Sequence, residues 1–430
     1  MTTPAPGWKR LGWTLSEYVR TRMRGFRDRD ALLTWQARRV EQHLAALQRI
    51  SPLLAERGPA ESWRSWPVTD KQWMMDHFDR LNTVGLSRDA CLDVAQRAEL
   101  DPAVRPQIDS FTVALTAGTS GHRGLFVVSE EEQARWAGRM LGHLVPDWWR
   151  QHRIAFFLRA RSNLHDSDAG GRVRFEWYDL DALLERHVER LSAQRPTILV
   201  APPSMLRFLA ENLGPAGDGV DPKLVVSVAE VLDPVDQRVI EARFGRVQQA
   251  YQAAEGYLGH TCHLGKLHLV EDVALVEREP VDDRRFVPII TNLWRRSLPI
   301  VRYRLDDVLV AGDCTCGSPY QAIDAIEGQY DDVLQLAGFD GAAVRVFPDL
   351  VRGAILSVQG ITRYAVRQVD PQRLAVELAV DGDRRLAERR VERELERLWR
   401  RLGAQPPVMT FRPLEERPSA VKRKRVSRGF

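Results

Sequence analysis

The sequence predicts an α/β protein: a large first domain of mixed sheets and helices, followed by a small α+β domain. Three observations carry this. Short apolar runs at 154–158, 197–200 and 224–228 have the length and composition of buried strands. Helical spacing at 180–191 and 205–213 separates them, the alternation that builds βαβ units. The apolar pattern then breaks at Glu327-Gly328-Gln329-Tyr330-Asp331-Asp332, leaving roughly a hundred residues beyond. A chain of 430 residues suits two or three domains, and the boundary is set at 1–328 and 329–430.

Residues 1–105 form a mainly helical lead-in, with apolar spacing through 32–54 and tryptophans at Trp63, Trp66 and Trp73. Two alternating apolar segments, Phe111-Thr112-Val113-Ala114-Leu115 and Leu125-Phe126-Val127-Val128, read as strands flanking a Gly/Thr/Ser loop. Ser129 and Glu132 have capping-box spacing and open a helix through Ala137 and Leu141. Beyond the boundary, 361–369 and 374–380 read as strands and 384–402 as a charged helix. The last nine residues are basic and read as a solvated tail.

Composition narrows the function classes. The net charge of +4 is small for the length and gives no electrostatic case for nucleic acid. No apolar run approaches a membrane span of about 20 residues, and the N-terminus lacks a signal-peptide core, so a cytoplasmic protein is expected. Four cysteines do not make a disulfide scaffold, and Cys91 stands apart as a buried apolar residue. Only six of the 62 cationic residues are lysines, which makes each lysine worth weighing.

The loop Thr116-Ala117-Gly118-Thr119-Ser120-Gly121-His122-Arg123-Gly124 has the chemistry of a polyphosphate cradle. Its glycines bring backbone N–H groups toward one anion, and Thr116, Thr119 and Ser120 add hydroxyl donors. It is not a Walker loop, because no Gly-Lys-Ser/Thr follows and a strand comes next. An ordinary hairpin loop is the plainer alternative.

Several separated motifs then agree in order with one family. Ser227-Val228-Ala229-Glu230, Tyr251-Gln252-Ala253-Ala254-Glu255-Gly256, Arg302-Tyr303-Arg304-Leu305-Asp306-Asp307, Glu327 to Asp332, and Lys422 follow the loop in sequence. On these, the chain over about residues 70–430 resembles the adenylate-forming (acyl-/aryl-CoA synthetase) superfamily, most closely its phenylacetate–CoA ligase-like branch. The resemblance implies a large nucleotide- and acid-binding domain and a mobile small one. It implies that Thr116, Gly118, Thr119, Ser120 and Gly121 cradle ATP phosphates and that Ala229, Glu230 and Tyr251 line adenine. Glu255 then holds Mg²⁺, Asp307 binds both ribose hydroxyls, and Gln329 lies beside the nucleotide. Asp331 is the implied hinge and Lys422 the catalytic lysine, with Lys424 its rival.

The residue chemistry suits those roles. A carboxylate at Asp307 accepts from vicinal hydroxyls. Glu255 supplies one hard oxygen, and Mg²⁺ takes one or two carboxylates together with phosphate oxygens. An ammonium at Lys422 neutralises charge on the attacking oxyanion. The plainer alternatives are a surface turn for Asp307 and a structural salt bridge for Glu255.

The chain also departs from the family pattern. Arg123-Gly124 stands where Pro-Lys is usual, Gln329 where Arg is usual, Asn292 where Asp is expected, and His165 where Tyr is expected.

Cys262 and His268, with Cys314 and Cys316 further on, offer three thiolates and an imidazole, a donor set for closed tetrahedral structural Zn²⁺. Some members of the branch carry such a zinc. His263 is an alternative ligand, and reduced cysteines packed together are the plainer reading.

The implied reaction joins a small-molecule acid to ATP with loss of pyrophosphate, then passes the acyl group to the thiol of coenzyme A or of a carrier-protein phosphopantetheine. The segment between the phosphate loop and Tyr251 should supply the acid pocket, with Arg159, Asn163 and His165 as polar candidates. An aryl or unsaturated acid is expected from the branch. Gly338 is a candidate for the pantetheine-facing surface, or a plain turn glycine. Three other readings stay open: an adenylating ligase with an amine acceptor or an oxyanion such as nitrite, a nucleotide binder without turnover, and a zinc-stapled interaction module. The sequence does not specify an oligomeric state.

Overall fold

The computed structural model describes residues 5–100, 104–116, 123–145, 147, 150–158, 173–179, 184–213, 219–329, 332–414 and 425–429. The chain divides into two compact units, residues 1–305 with 311–324, and residues 306–310 with 325–430. The second unit therefore begins four residues earlier than the break in the apolar pattern suggests, and it takes in the short segment around Asp307.

In the first unit, α1 (Gly7–Met23) and α2 (Arg29–Gln48) build the helical lead-in. Asp28 caps α2, its carboxylate accepting from the Ala31 N–H at 2.8 Å. The antiparallel hairpin β1 (Phe111–Leu115) and β2 (Leu125–Ser129) leads into α3 (Glu130–Leu144). The capping box at the start of α3 forms as its spacing predicts: the Ser129 hydroxyl accepts from Glu132 N, and the Glu132 carboxylate from Ser129 N.

Strands β3 (His152–Leu158), β4 (Val173–Asp179), β5 (Ile198–Ala201), β6 (Leu224–Ser227) and β7 (Val247–Ala253) are parallel, in the spatial order β4-β3-β5-β6-β7. Helices α4 (Leu184–Gln194), α5 (Pro203–Asn212) and α6 (Pro234–Phe244) cross between them, as βαβ alternation requires. The chain then turns antiparallel through β8 (Gly256–Thr261) and β9 (Leu267–Leu269). A second antiparallel pair follows, β10 (Ala274–Pro280) with β11 (Arg285–Asn292). Two cores sandwich the parallel strands. Phe157, Leu199 and Val225 pack with Leu206, Leu209 and Ile240 on one side, and Ile154, Val200 and Val226 pack with Leu144 and Tyr257 on the other. Alternate residues of each strand thus enter opposite cores, as in a sheet covered on both faces.

In the second unit, β12 (Ile361–Asp370) and β13 (Arg373–Val380) form an antiparallel centre, and β14 (Val408–Pro413) and β15 (Val426–Arg428) add in parallel at the edges. Helix α7 (Arg384–Arg401) buries Val391, Leu395, Leu398 and Trp399 against this sheet and turns its arginines outward. This is the α+β module expected from the sequence, with one correction. Residues 426–428 are not part of a free solvated tail, because Val426, Ser427 and Arg428 pair in register with Val366, Arg367 and Gln368. Alternation of small and charged residues over so short a stretch hides a three-residue edge strand from sequence reading. Among the described residues no helix is long and apolar enough to cross a membrane.

Candidate functional site

In an open parallel sheet, ligands lie outside the carboxyl ends of the strands. The segments singled out by sequence follow those ends on neighbouring strands. Val228, Ala229 and Glu230 continue from β6, and Tyr251 and Glu255 sit at the close of β7, its immediate partner. Arg159, Asn163 and His165 follow the end of β3 and lie outside the described residues.

The backbone at these strand ends is specialised. Ala229 adopts a positive φ of 66°, a conformation uncommon for a side-chain-bearing residue and characteristic of functional turns. Glu230 N donates back to Val228 O at 2.8 Å, tightening the same turn. A register shift between Tyr251 and Gln252 bulges β7 where it meets β8 and re-aims the side chains after it. Tyr251 is buried beside Gly259, and an added Cβ there would fall 3.2 Å from the Tyr251 Cβ. Glu255 is also buried.

The main chain around Glu255 is held from a turn that follows β11. The Asn292 amide donates to the Glu255 carbonyl at 2.9 Å, and Arg295 Nη1 to the Ala254 carbonyl at 3.1 Å. Sequence reasoning noticed Asn292 only as a departure and missed Arg295. The run Trp294-Arg295-Arg296 gives no hint which arginine turns inward.

At the hairpin of β1 and β2, Thr116 and Gly124 close the base of the loop. Thr116 N donates to Gly124 O at 2.8 Å, and the Thr116 hydroxyl accepts from Gly124 N at 2.9 Å. Arg123 folds back so that its Nε donates to Thr116 O at 3.0 Å. Thr116 thus has a structural task at the neck of the loop. Gly118, Thr119, Ser120 and Gly121 lie outside the described residues. Lys71, one of the scarce lysines, packs its side chain against the same neck, 3.3 Å from where a Gly124 Cβ would sit. Its rarity was the signal that could have singled it out.

In the Arg302–Asp307 motif the arginines brace the fold. Arg302, at a φ of +45°, pairs with both oxygens of Glu277 at 2.8 and 3.0 Å, and Arg304 pairs with Glu279 two residues along β10. Tyr303 is buried and bridges to Thr69. Asp307 opens the strand Asp307–Gly312, is half-buried and belongs to the second unit. Gln329 ends the strand Ala322–Gln329, whereas Asp331 and Lys422 lie outside the described residues. Gly338 sits in a tight turn, its N–H donating to Ala342 O at 2.7 Å.

Cys262, His268, Cys314 and Cys316 converge, their ligand atoms all within 4.8 Å of one another. The Cys262 and Cys314 sulfurs are 3.8 Å apart, and Cys316 Sγ lies 3.4 Å from His268 Nε2. A tetrahedron of thiolates at about 2.3 Å from zinc has edges of about 3.8 Å. His268 Nδ1 lies 2.8 Å from the Tyr320 carbonyl, which can only accept. Nδ1 therefore carries the proton and Nε2 presents its lone pair to the cluster. Burial opposes ionisation of Cys262, yet the N–H groups of Leu264 and Lys266 hold its thiol below the ordinary value. Burial and the neighbouring thiols push Cys316 up to about 11. Crowded thiols share protons unequally in this way, and a divalent cation removes the conflict. His263, the alternative ligand, is exposed and outside this cluster.

No family model matches the chain, and no curated protein matches it. Solved structures do. A 2-hydroxyisobutyryl-CoA ligase in the postadenylation state with 2-HIB-AMP aligns at a TM-score of 0.66 and 16% identity, covering 93% of this chain and 89% of that one. The acyl acid amido synthetase GH3.15 aligns at 0.55 and 12% identity, covering 87% and 85%. Its complex with 2,4-DB gives 0.53 and 13% identity, with 89% of each chain covered. The fold is that of the adenylate-forming ligases.

Proposed function

We propose that this chain is an AMP-forming acid ligase. It would adenylate a small-molecule carboxylic acid with release of pyrophosphate and then pass the acyl group to a thiol of coenzyme A or a carrier protein. The observation that carries the reading is the arrival of Ala229, Glu230, Tyr251 and Glu255 at the carboxyl ends of two adjacent parallel strands. An aryl or unsaturated acid and the phenylacetate–CoA ligase-like branch are the finer form of this proposal.

In the mechanism so proposed, Tyr251 packs on adenine, and the loop after Thr116 wraps the phosphates with N–H and hydroxyl donors. Asp307 accepts from the ribose hydroxyls. The carboxylate of the acid attacks the α-phosphorus, the bond to pyrophosphate breaks, and the Lys422 ammonium stabilises charge at the reacting oxygens. Arg159, Asn163 and His165 border the acid. The acyl-adenylate is prone to hydrolysis, so water must be kept out while the small domain turns about Asp331 to admit the thiol. Mg²⁺ would be held by the Glu255 carboxylate together with phosphate oxygens, and when bound it would neutralise phosphate charge. A structural Zn²⁺ would be held by Cys262, His268, Cys314 and Cys316, a closed set that leaves no position for catalytic water.

The test is ATP–pyrophosphate exchange over a panel of aryl and alkyl acids with nitrite included, on the unaltered chain and on Lys422→Ala. Exchange with one acid, reduced about 10²–10³-fold in Lys422→Ala, is the expected result. Exchange with nitrite alone would redirect the reading to a non-carboxylate oxyanion. Absence of exchange with every acid would overturn it.

A further inference from the structure

The polar contacts around Glu255 form a connected hub that no part of the reaction scheme above uses. Asn292 is buried at the end of β11. Its Oδ1 accepts from the N–H groups of Trp294 and Arg295, each at 3.0 Å, which fixes the amide orientation and leaves Nδ2 to donate to the Glu255 carbonyl. An aspartate here would keep the two accepting contacts and lose the donated one.

Arg295 spans two elements with one guanidinium. Nη1 reaches the Ala254 carbonyl, and Nη2 reaches the Val127 carbonyl on β2 at 3.2 Å. Glu132, the capping residue of α3, closes the circuit. Its carboxylate accepts from Arg296 N at 2.6 Å, from Ser297 N at 3.0 Å and from the Ser297 hydroxyl, while still holding Ser129 N at 2.8 Å. Burial opposes the Glu132 charge, but Arg295 and these hydrogen bonds keep its carboxyl below the usual range. Burial lowers Arg295, and the fields of Glu132 and Glu255 oppose that shift. Gly256 leaves room for the arrangement, since a Cβ there would fall 2.6 Å from Asn292 Nδ2.

We propose that Asn292 and Arg295 are positioning residues for the Glu255 carboxylate. They lock the Ala254-Glu255 turn in register with β2, the strand that leaves the phosphate loop. The inference rests on the reading of Glu255 as the metal-binding carboxylate. Its consequence is that metal and phosphates are presented as one pre-set unit, and that the asparagine at position 292 has a task an aspartate cannot perform.

The test uses the full chain with Mn²⁺ as the spectroscopic probe in place of Mg²⁺. Retention of Mn²⁺ in the ATP complex is followed by electron paramagnetic resonance, beside ATP binding in excess chelator and the melting temperature. Loss of one well-made hydrogen bond corresponds to up to about tenfold in affinity. Asn292→Asp should therefore weaken Mn²⁺ retention by up to about tenfold, with metal-free ATP binding little changed. It should also lower the melting temperature, because a buried carboxylate would face the Glu255 carbonyl. Arg295→Lys keeps the charge but gives up the fork that reaches Ala254 and Val127 together. It should behave likewise, and it serves as the test should Asn292→Asp not fold. Glu255→Gln is the control. If Glu255→Gln loses Mn²⁺ while both variants retain it as the unaltered chain does, the positioning role is wrong. If Glu255→Gln itself retains Mn²⁺, the metal reading of Glu255 fails, and the proposal goes with it by a separable result.

Discussion

Glu17 of α1 and Arg139 of α3 form an ion pair sealed between the two helices, Arg139 Nε donating to Glu17 Oε1 at 3.0 Å. Glu17 is fully buried and Arg139 nearly so, and Arg20 and Arg135 reach the other Glu17 oxygen. Breaking a buried pair from one side leaves an uncompensated charge and costs about 3–5 kcal/mol. Glu17→Gln should lower stability by about that much in urea unfolding. Replacing both partners by methionine should recover most of the loss. Equal destabilisation in the single and double variants would show that packing, not charge, dominates the contact.

The same two helices meet over glycines. A Cβ on Gly138 would fall 2.3 Å from the Thr14 carbonyl, and one on Gly142 2.8 Å from the Thr21 Cβ. Within a helix, Gly to Ala gains about 1 kcal/mol of propensity, whereas overpacking costs about 1–3 kcal/mol. A 2.3 Å approach to backbone puts Gly138→Ala at the upper end of that cost. The variant should therefore be less stable than the parent, which a thermal melt will read directly. A stabilised Gly138→Ala protein would refute so close a contact.

Four histidines of the first unit are kept neutral by burial. His43 is brought down to about 3, by burial first and then by Arg39, and His143, His187 and His260 are all lowered. The unfolded chain takes up these protons near pH ~6.5, whereas the fold resists them. Stability is thus intact above that pH and declines as pH falls toward the folded values. Urea midpoints should drop on acidification below pH ~6.5, and His43→Phe should flatten that slope by about one proton's share. A midpoint independent of pH across this range would contradict the assignment.

The Cys262, His268, Cys314 and Cys316 cluster predicts one equivalent of zinc in the purified protein by elemental analysis. Chelation or Cys316→Ser should lower the melting temperature. A cluster that carries no metal, and whose chelation leaves the melt unchanged, would reduce it to packed thiols.

What could be read from sequence was local and periodic. The buried strands came through because Val, Ile and Leu run continuously where both faces are covered, as at Leu199 and Val225. The Ser129 and Glu132 box came through because capping chemistry depends on a fixed spacing of three residues. The donor residues of the metal cluster could be found, but their convergence required β8, β9 and the segment after Asp313 to fold together. The hub around Glu255 was hidden for the same reason. Asn292 and Glu255 lie 37 positions apart, and nothing in either neighbourhood records the other. The arginines of the Arg302–Asp307 motif were given no role from sequence, because their partners Glu277 and Glu279 lie 25 positions away on β10.

The short edge strand β15 limits how the residues before it can travel. Arg425 O accepts from Val366 N at 2.7 Å, and at the other end Leu414 N donates to Leu378 O at 3.0 Å. Both ends of the intervening stretch are thereby stitched to one sheet. Moving Arg425 away from Val366, or Leu414 away from Leu378, therefore requires breaking main-chain hydrogen bonds of that one sheet.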